Sequence, residues 1–436
     1  MATITTIFIN TMFGHKPHPL WRTLWRLGSP FAYYLARIVA PFDAKFESAV
    51  LGRSRERWEH IPKHGIIFHC ASVGEFEAAR PVIEQVLQKR HNPILTISSP
   101  SLYQRRTNTG RLDYPWYWAP LDTPRFVRAF LDAAQPSAIV ITKHDIWPEL
   151  VWQARERGIP TILQSANFRT DSKRNWRIVR SFQRSLLGSL SGIGAISQED
   201  GERFSALIQQ RTEIRITGDT RYDRVRTAAK KPDSRDPALI AWMKAKPVIV
   251  MGSSWRPDEE LLLPVLQRFR QEGIDFRLVV VPHESDEEHC ADAEQRMIAA
   301  GFSPVRYSTS LSQLSNADSL LVNVQGVLST LYRGASIASV GGGFGVGVHS
   351  VLEPAVFGIP LLYGPNISMS REARLFAERG GGVVLNEQSD WEQTLRTWLL
   401  DEDVRRHYGG ICLELIEEEA GATKRVTEWV GELCRW

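Results

Sequence analysis

The stretch Ile337–Tyr363, IASVGGGFGVGVHSVLEPAVFGIPLLY, decides the fold class. An apolar segment, Ile337–Val340, leads through a loop of glycines into a segment expected to be helical, His349–Phe357. A second apolar segment, Pro360–Tyr363, follows. A strand, a glycine-rich turn, a helix and another strand form the repeating unit of a parallel α/β sheet. The stretch therefore predicts a doubly wound sheet that binds its ligand at the carboxyl ends of the strands.

The same alternation extends in both directions along the chain. Further strands are predicted at Ile66–Phe68, Pro93–Ser98, Ser137–Thr142, Pro160–Leu163, Pro247–Met251, Phe276–Val281, Ser319–Val324 and Gly382–Leu385. The strand signal is lost between residues 228 and 246, where Lys, Pro, Asp and Ser accumulate. We therefore predict an α/β protein of two doubly wound, Rossmann-like domains that face a cleft between them.

The predicted organisation has five parts. They are a basic and aromatic segment at 1–45, an N-terminal domain at 46–227, a linker at 228–246, a C-terminal domain at 247–410 and a C-terminal helix at 411–436.

Composition excludes several classes of protein. The 436 residues contain four cysteines with no CxxC pair, which argues against a zinc ribbon, a thioredoxin-type site and a disulfide framework. A net charge of +4 is too small to indicate nucleic-acid binding. The glycine loop is neither a GxGxxG after the first strand nor a GxxxxGK[ST], which argues against a dinucleotide oxidoreductase and a P-loop ATPase.

The first 42 residues carry four cations and no acid, interleaved with aromatic residues. The cations are Lys16, Arg22, Arg26 and Arg37. Arg and Trp on a short helix suit the headgroup region of an anionic bilayer, although the same pattern fits an amphipathic helix packed on the protein. No apolar run is long enough to span a bilayer. We expect peripheral membrane contact.

Polar residues follow strands of the first half. Glu75 comes after the strand at 66–68 and opens a helix, where amide donors favour an ionised carboxylate that can act as a general base. The alternative is that Glu75 only stabilises the first helical turn. Lys143 and Asp145 follow a later strand, where Lys143 can stabilise negative charge and Asp145 can cap a helix or orient Lys143. Arg221 suits a phosphate or carboxylate, unless it only pairs with a neighbouring aspartate.

Small and polar residues also follow strands of the second half. Ser253 and Ser254 can bind phosphate oxygens, and Pro282-His283 follows the next strand. For both pairs an ordinary loop or cap is the alternative. The glycine loop that includes Gly342 and Gly343 is a phosphate cradle if a helix begins after it. Glu353, one turn into that helix, can take both hydroxyls of a ribose.

In order along the chain, these motifs resemble those of the 3-deoxy-D-manno-oct-2-ulosonic acid (Kdo) transferases, a family with the GT-B fold. The resemblance is carried by ASVGE (71–75), D-x-W-P (145–148), TGDTRYD (217–223), GSSW-x-PDEELL (252–262), VPHE (281–284), VGGGFG (340–345), LEPA (352–355) and GPN (364–366). It implies an inverting transfer of Kdo from CMP-Kdo to a glucosamine hydroxyl of the lipid A precursor, lipid IVA, in lipopolysaccharide biosynthesis. It also implies an N-terminal domain for the acceptor and a C-terminal domain for the donor.

The resemblance gives each candidate residue a role. It implies that Glu75 is the general base and that Lys143 and Arg221 stabilise transition-state charge, and we expect Asp145 to orient Lys143. Many members have a glutamate where Lys143 stands and a lysine where Arg221 stands, and we expect Lys143 to be specific to one branch. The implied donor-binding residues are Ser253, Ser254, Pro282, His283, Gln325, Gly326, Val327, Gly342, Gly343, Ser350, Val351, Leu352 and Glu353. His283 replaces an arginine and Ser350 an asparagine of the family pattern.

The same resemblance sets the expected surroundings. We expect no cofactor and no obligatory metal, because no Asp-x-Asp stands at a strand end. The expected partners are CMP-Kdo, the lipid A precursor and the cytoplasmic leaflet of the inner membrane, with no nucleic acid. Peripheral or N-terminal anchoring on that cytoplasmic face is the expected location. The alternatives are a related GT-B transferase with another acid sugar or acceptor, and a non-catalytic adaptor for envelope assembly.

Overall fold

The computed structural model describes residues 16–100, 102–103, 114–168, 177–209, 212–309, 311–386 and 388–436. The chain forms two compact units. Unit 1 contains Met1–Arg224 together with Ala420–Trp436, and unit 2 contains Val225–Glu419.

Unit 1 is built on a parallel sheet of seven strands in the order β3-β2-β1-β4-β5-β6-β7. Its strands are β1 (Ile66–Cys70), β2 (Pro93–Ile97), β3 (Trp116–Trp118), β4 (Ala138–Thr142), β5 (Thr161–Ala166), β6 (Gly192–Ala195) and β7 (Glu213–Ile216). Its helices are α1 (Pro19–Val39), α2 (Ala44–Arg55), α3 (Val73–Gln88), α4 (Pro124–Ala134), α5 (Pro148–Glu156), α6 (Arg177–Leu187), α7 (Gln198–Ile208), and the start of α8 (Thr220–Ala229). The central strands are buried on both faces, as a sheet covered by helices requires.

Unit 2 repeats this plan with strands in the order β10-β11-β9-β8-β12-β13-β14, all parallel. Its strands are β8 (Val248–Ser254), β9 (Arg277–Pro282), β10 (Pro304–Arg306), β11 (Ser319–Leu321), β12 (Ile337–Val340), β13 (Leu361–Tyr363) and β14 (Gly382–Val384). Its helices beyond α8 are α9 (Pro237–Lys244), α10 (Arg256–Gln271), α11 (Glu287–Ala299), α12 (Leu328–Tyr332), α13 (Leu352–Ala355), α14 (Arg371–Arg379), α15 (Gln388–Leu400) and α16 (Glu402–Glu419).

Four strands were not predicted from the sequence: β3, β6, β7 and β10. Strand β6 reads Gly-Ile-Gly-Ala, a composition that disfavours a strand by itself. A Cβ at Gly192 would come within 2.1 Å of the Trp429 ring, so the glycine is there because a tryptophan packs against the strand. The space that a side chain at Gly192 would occupy is filled by the ring of Trp429, which is far away in sequence.

The helix predicted at His349–Phe357 is wrong in its extent, because only α13, Leu352–Ala355, is helical. The backbone before it is bound to the glycine loop instead. The N–H of His349 donates to the Gly341 carbonyl, and the N–H of Val348 donates to the Asn366 carbonyl. These long-range bonds replace the first turn that the sequence pattern suggested.

The C-terminal segment, expected as one helix at 411–436, contains two helices that belong to different units. Helix α16 ends at Glu419 in unit 2, and α17 (Ala422–Cys434) packs into unit 1. The Asp223 carboxylate accepts the N–H groups of Gly421 and Thr423 at 2.7 and 2.6 Å, which fixes the start of α17. The interval at 228–246, expected as a linker, contains α9 and lies in unit 2.

Helix α1 has two contrasting faces. On the face toward the protein, Trp25 donates to Asp122, while Arg22 and Arg26 pair with Glu156 and Glu149. The other face exposes a stripe of large apolar side chains: Leu20, Leu24, Leu27, Phe31, Tyr34, Leu35, Ile38 and Val39. The alternative of packing on the protein therefore holds for Trp25, Arg22 and Arg26. The opposite, apolar face of α1 is left exposed. Within the part of the chain that the structure describes, every helix is too short or too polar to cross a bilayer.

We predict that α17 is needed for the stability of unit 1. Trp429 is 1% exposed and fills the space over Gly192. Trp429→Ala is expected to lower the free energy of unfolding by about 3–5 kcal/mol, measured by urea denaturation, because it leaves a cavity in the core. Trp436→Ala is the control, since Trp436 is 36% exposed and stacks on His91 at the surface. Equal losses in the two variants would contradict this assignment.

Candidate active site

Glu75 lies in the first turn of α3, directly beyond the carboxyl end of β1. Ser72 caps the helix by accepting the Glu75 N–H, and Glu75 Oε2 in return accepts the Ala71 N–H at 2.6 Å. This reciprocal cap holds the carboxylate in one orientation. The capping role and a catalytic role are compatible here, because the hydrogen bond engages one of the two carboxylate oxygens.

The surroundings of Glu75 favour the protonated acid more than water does. Burial raises the pKa of Glu75 above its ordinary value, and the charge of Asp145 raises it further. The Ala71 N–H and the charges of His69 and Lys143 act in the opposite direction without cancelling the rise. A carboxylate with a raised pKa is a stronger base than one in water and can still be ionised near neutral pH.

Asp145 accepts three hydrogen bonds that hold it as an anion. Trp147 Nε1 donates at 2.8 Å and Ser98 Oγ at 3.2 Å, and His69 Nε2 lies 3.1 Å from the same oxygen. Burial would raise the pKa of Asp145, but these contacts keep it below its ordinary value. Asp145 is therefore a fixed negative charge near Glu75.

His69 is fully buried in β1, and both of its ring nitrogens have polar partners. Nε2 lies 3.1 Å from Asp145 Oδ2 and 2.9 Å from Trp147 Nε1. Nδ1 lies 3.1 Å from the Thr96 hydroxyl, which can either donate or accept. His69 therefore joins Asp145, Trp147 and Thr96 in one buried polar cluster.

Lys143 follows β4 in a conformation that non-glycine residues rarely adopt, with φ of +63°. Its N–H donates to the Gln164 carbonyl at 3.0 Å, which holds the turn. The positive charge of Lys143 lowers the pKa of both Glu75 and Asp219, so it acts on two carboxylates. Backbone strain of this kind is concentrated at functional sites.

Arg221 is paired with Asp219, which was one of the alternatives left open by the sequence. Arg221 Nε and Nη2 donate to Asp219 Oδ2 at 2.9 and 2.7 Å. Burial would raise the pKa of Asp219, but Arg221 and Lys143 hold it below its ordinary value. Electrostatic effects thus couple Glu75, Lys143, Asp219 and Arg221 within unit 1.

In unit 2 the glycine loop is tied to the end of β8 by Asp258. Asp258 Oδ2 accepts the N–H groups of Gly342 at 3.0 Å and Trp255 at 2.9 Å. Gly341 lies so close to Ser253, which has a φ of +51°, that a Cβ would come within 2.1 Å of the Ser253 carbonyl oxygen. Only glycine fits there, so the backbone of the loop packs directly against the backbone at the end of β8.

The other side of the loop lies against the end of β13. A Cβ at Gly343 would come within 2.5 Å of the Gly364 backbone. The Asn366 N–H donates to the Gly343 carbonyl and its side-chain amide to the Gly345 carbonyl, at 2.8 and 2.7 Å. The predicted grouping of the GGGFG and GPN motifs is therefore present in space.

Three aromatic rings stack at this edge of unit 2. His283 lies 4.7 Å from Trp255 and 4.4 Å from His349, measured between centroids, with planes within 19° of parallel. Trp255 Nε1 donates to His349 Nε2 at 2.9 Å, which requires that nitrogen to be unprotonated. Burial and the charge of His283 lower the pKa of His349, in agreement with the neutral ring.

The remaining predicted donor residues differ in their exposure. Ser254 is buried, and its hydroxyl donates to Glu259 at 2.7 Å inside the unit, so that hydroxyl is not presented to a ligand. Pro282, Val351 and Leu352 are buried, whereas Gln325, Gly326 and Ser350 are exposed. Val327 precedes α12, and Glu353 lies close enough to Tyr332 that its charge, together with burial, raises the pKa of that phenol.

Among the described residues, one trio of metal-ligating side chains is close enough to share an ion: Glu284, Asp286 and His289. All three are exposed, and His289 pairs with both carboxylates. Asp286 is also the N-cap of α11. These contacts are those of an ordinary helix start.

Sequence reasoning missed five residues that shape these sites: His69, Trp147, Trp255, Asp258 and His349. His69 interrupts an otherwise apolar strand, and a polar residue inside a buried strand is a signal that a partner exists. Asp258 stands three residues after Trp255 and matches the spacing of a capping box, but its bond to Gly342 spans 84 residues.

Solved structures resemble the whole chain in fold. The UDP-GlcNAc 2-epimerase of Neisseria meningitidis matches with a TM-score of 0.59 and 14% identity, covering 84% of this chain and 98% of that one. MurG of Acinetobacter baumannii matches with a TM-score of 0.54 and 14% identity, covering 85% of this chain and all of that one. Together with the two parallel sheets, they confirm the predicted fold class of two Rossmann-like domains.

Sequence comparisons show similarity to one family. Residues 48–224 match the profile of the family described as 3-Deoxy-D-manno-octulosonic-acid transferase (kdotransferase). The 3-deoxy-D-manno-octulosonic acid transferase of Haemophilus influenzae is 26% identical over 373 residues, 84% of this chain and 86% of the relative. That of Bordetella pertussis is 25% identical over 431 residues, 94% of this chain and 96% of the relative. The resemblance inferred from the motifs is confirmed, and the chain is related to the Kdo transferases over most of its length.

Proposed function

We propose that this protein is an inverting glycosyltransferase that moves Kdo from CMP-Kdo to a glucosamine hydroxyl of a lipid A precursor in lipopolysaccharide biosynthesis. The observation that carries the proposal is the buried, oriented carboxylate of Glu75, in a chain related to Kdo transferases. A non-catalytic adaptor has no need of such a base, which argues against that alternative.

Each group of unit 1 has a part in the proposed reaction. Glu75 removes the proton from the acceptor hydroxyl as its oxygen attacks the anomeric carbon of Kdo. The bond from that carbon to the phosphate oxygen breaks, and CMP leaves with the electron pair. Lys143 and Arg221 stabilise the negative charge that develops, and Asp145, fixed by His69 and Trp147, orients the site.

Unit 2 is the proposed donor site. The proposed phosphate contact is the loop around Gly342 and Gly343, whose missing side chains let it pack closely against the neighbouring backbone. Trp255 and His283 offer flat faces beside the loop for a nucleotide base. Gln325, Gly326, Val327, Ser350 and Glu353 are the further proposed contacts, on the resemblance alone.

The exposed face of α1 is the proposed membrane contact, on the cytoplasmic side of the inner membrane. Phe31 is 72% exposed and lies in an apolar stripe along the helix. The helix carries no acid, and Arg37 is exposed near one end. An apolar face with basic flanks binds anionic lipid surfaces. Because the acceptor is a lipid, membrane contact would raise its local concentration at the site.

We predict that Glu75→Gln lowers the rate of Kdo transfer by about 10²–10⁴-fold, because it removes the base without changing the size of the side chain. In the wild type, kcat/KM should fall as the pH drops through a pKa above the ordinary value of about 4.3, since the base must be ionised. The assay uses freshly made CMP-Kdo and a lipid A precursor, from pH 4.5 to 8.

The matched control is Glu84→Gln on the same helix, where the carboxylate pairs with Arg80 at the surface. It should retain the wild-type rate and pH profile. A folded Glu75→Gln variant with the wild-type rate would remove Glu75 as the base while leaving the enzyme assignment in place.

We predict that Asp258→Asn raises the KM for CMP-Kdo by roughly tenfold, because a neutral amide holds the Gly342 and Trp255 N–H groups less well than a carboxylate. The kcat should change less than the KM. Asp275→Asn, which removes an exposed partner of Lys246, is the control and should leave both constants unchanged. An unaltered donor KM in Asp258→Asn would contradict the placement of the donor at this loop.

We predict that the double variant Phe31→Asp and Ile38→Asp binds anionic vesicles roughly 100-fold more weakly than the wild type, because two exposed apolar anchors are lost. Sedimentation with phosphatidylglycerol vesicles measures the effect. The control is Ile298→Asp with Leu400→Asp, which changes two exposed apolar residues of unit 2. If both double variants bind equally, α1 is not the membrane contact.

A further inference from the structure

Unit 1 contains an apolar cavity of about 700 Å³ beneath α1. Its walls come from α1, α2, α6, the segment 121–123 and Trp147. A volume of this size is typical of small-molecule sites. All of its lining residues belong to unit 1.

The two charged side chains in the wall make hydrogen bonds within the protein. Arg53 Nε and Nη2 donate to the carbonyls of Ala119 and Pro120, at 3.1 and 2.6 Å. The Asp122 carboxylate accepts the N–H groups of Glu149 and Leu150, both at 3.0 Å. Apart from the hydroxyls of Ser29 and Thr123, the rest of the wall is mostly aromatic and aliphatic, so the cavity suits an apolar ligand.

One side of the cavity is continuous with the exposed apolar surface. Leu24, Phe46 and Ile178 line the cavity and are also exposed to solvent. An apolar chain can therefore enter from the surface formed by α1 without crossing a polar barrier.

Trp147 is shared by the cavity wall and the polar cluster of the candidate active site. Trp147 lines the cavity, and its indole N–H donates to Asp145 at 2.8 Å. The charge of Asp145 in turn raises the pKa of Glu75. A ligand whose apolar part fills the cavity can thus have its polar part beyond Trp147, near the proposed base.

The helices that form the wall carry mostly positive charge. Arg37 follows the cavity-lining Ala36 and lies over the Tyr33 ring, and Arg180 follows the cavity-lining Val179. Both arginines are exposed, and neither α1 nor α6 contains an acid, whereas α2 contains Glu47 together with basic residues. The net positive charge of these helices favours an anionic amphiphile.

We propose that this cavity holds a fatty acyl chain of an anionic amphiphilic acceptor while its sugar lies at Glu75. The inference deepens the proposed function, on which the identity of the amphiphile as the acceptor rests. The binding of an acyl chain is a separate property, which can be measured without donor or transfer.

Gly28 provides the test because it lies in the cavity wall and a Cβ there meets no atom within 4 Å. Gly28→Leu should narrow the cavity and leave the fold intact, since leucine is also the better helix former. Gly410→Leu is the matched control, because Gly410 is another glycine within a helix whose Cβ would meet open space.

The probe is a monomeric lysophosphatidic acid with a brominated acyl chain, which quenches tryptophan fluorescence on contact. Trp21, Trp25 and Trp147 line the cavity and should be quenched as the probe binds the full-length protein. Gly28→Leu should weaken binding by about tenfold or more, the loss expected if roughly two methylene groups are excluded. Gly410→Leu should bind as the wild type does.

Equal affinity in Gly28→Leu and the wild type would overturn the proposal, as would a loss in Gly410→Leu as large as that in Gly28→Leu. Transfer assays then distinguish the proposed acyl-chain site from the proposed transferase function. Gly28→Leu should raise the KM for an acylated acceptor more than for a deacylated one. A wild type that binds the probe through the cavity but transfers no Kdo would refute the proposed function and leave the acyl site in place.

Discussion

The hydrogen bond from the Trp147 indole to the Asp145 carboxylate links the main features of unit 1. On the polar side, Asp145 also holds His69, so a charge inside the domain is fully satisfied. On the apolar side, the Arg53 guanidinium lies 4.5 Å from the Trp147 ring centroid. Burial lowers the pKa of Arg53 to about 10, so it remains a cation at neutral pH. A tryptophan held from both sides cannot rotate without leaving a buried charge with fewer partners.

Each unit has a non-glycine residue with positive φ at the carboxyl end of a central strand. Lys143 follows β4 and Ser253 lies near the end of β8, and both have positive φ although neither is glycine. In each case the strained residue redirects the chain where a ligand is expected to approach. The strain is tolerated because hydrogen bonds to neighbouring strands fix the backbone. At Lys143, for example, the N–H donates to the Gln164 carbonyl of β5.

The sequence predicted the alternation, both sheets and the clusters of polar residues at strand ends, because these depend on local pattern. It could not predict which face of α1 packs on the protein. Arg and Trp suit a membrane surface as well as a protein surface, and the choice depends on Glu149 and Glu156, far along the chain. The helix predicted from His349 failed for a related reason, since Gly341 and Asn366 compete for its backbone.

The distribution of charge gives a physical reason for a lysine at position 143. Asp145 raises the pKa of Glu75, and Asp219 is a further buried carboxylate of the same unit. Arg221 offsets Asp219 directly, and His69 and Trp147 stabilise Asp145 by hydrogen bonds. Lys143 is the cation whose charge lowers the pKa of both Glu75 and Asp219. A glutamate at 143 would replace this positive charge with a negative one and raise the pKa of Glu75 further. The lysine therefore opposes the effect of burial and favours the ionised form of the Glu75 carboxylate.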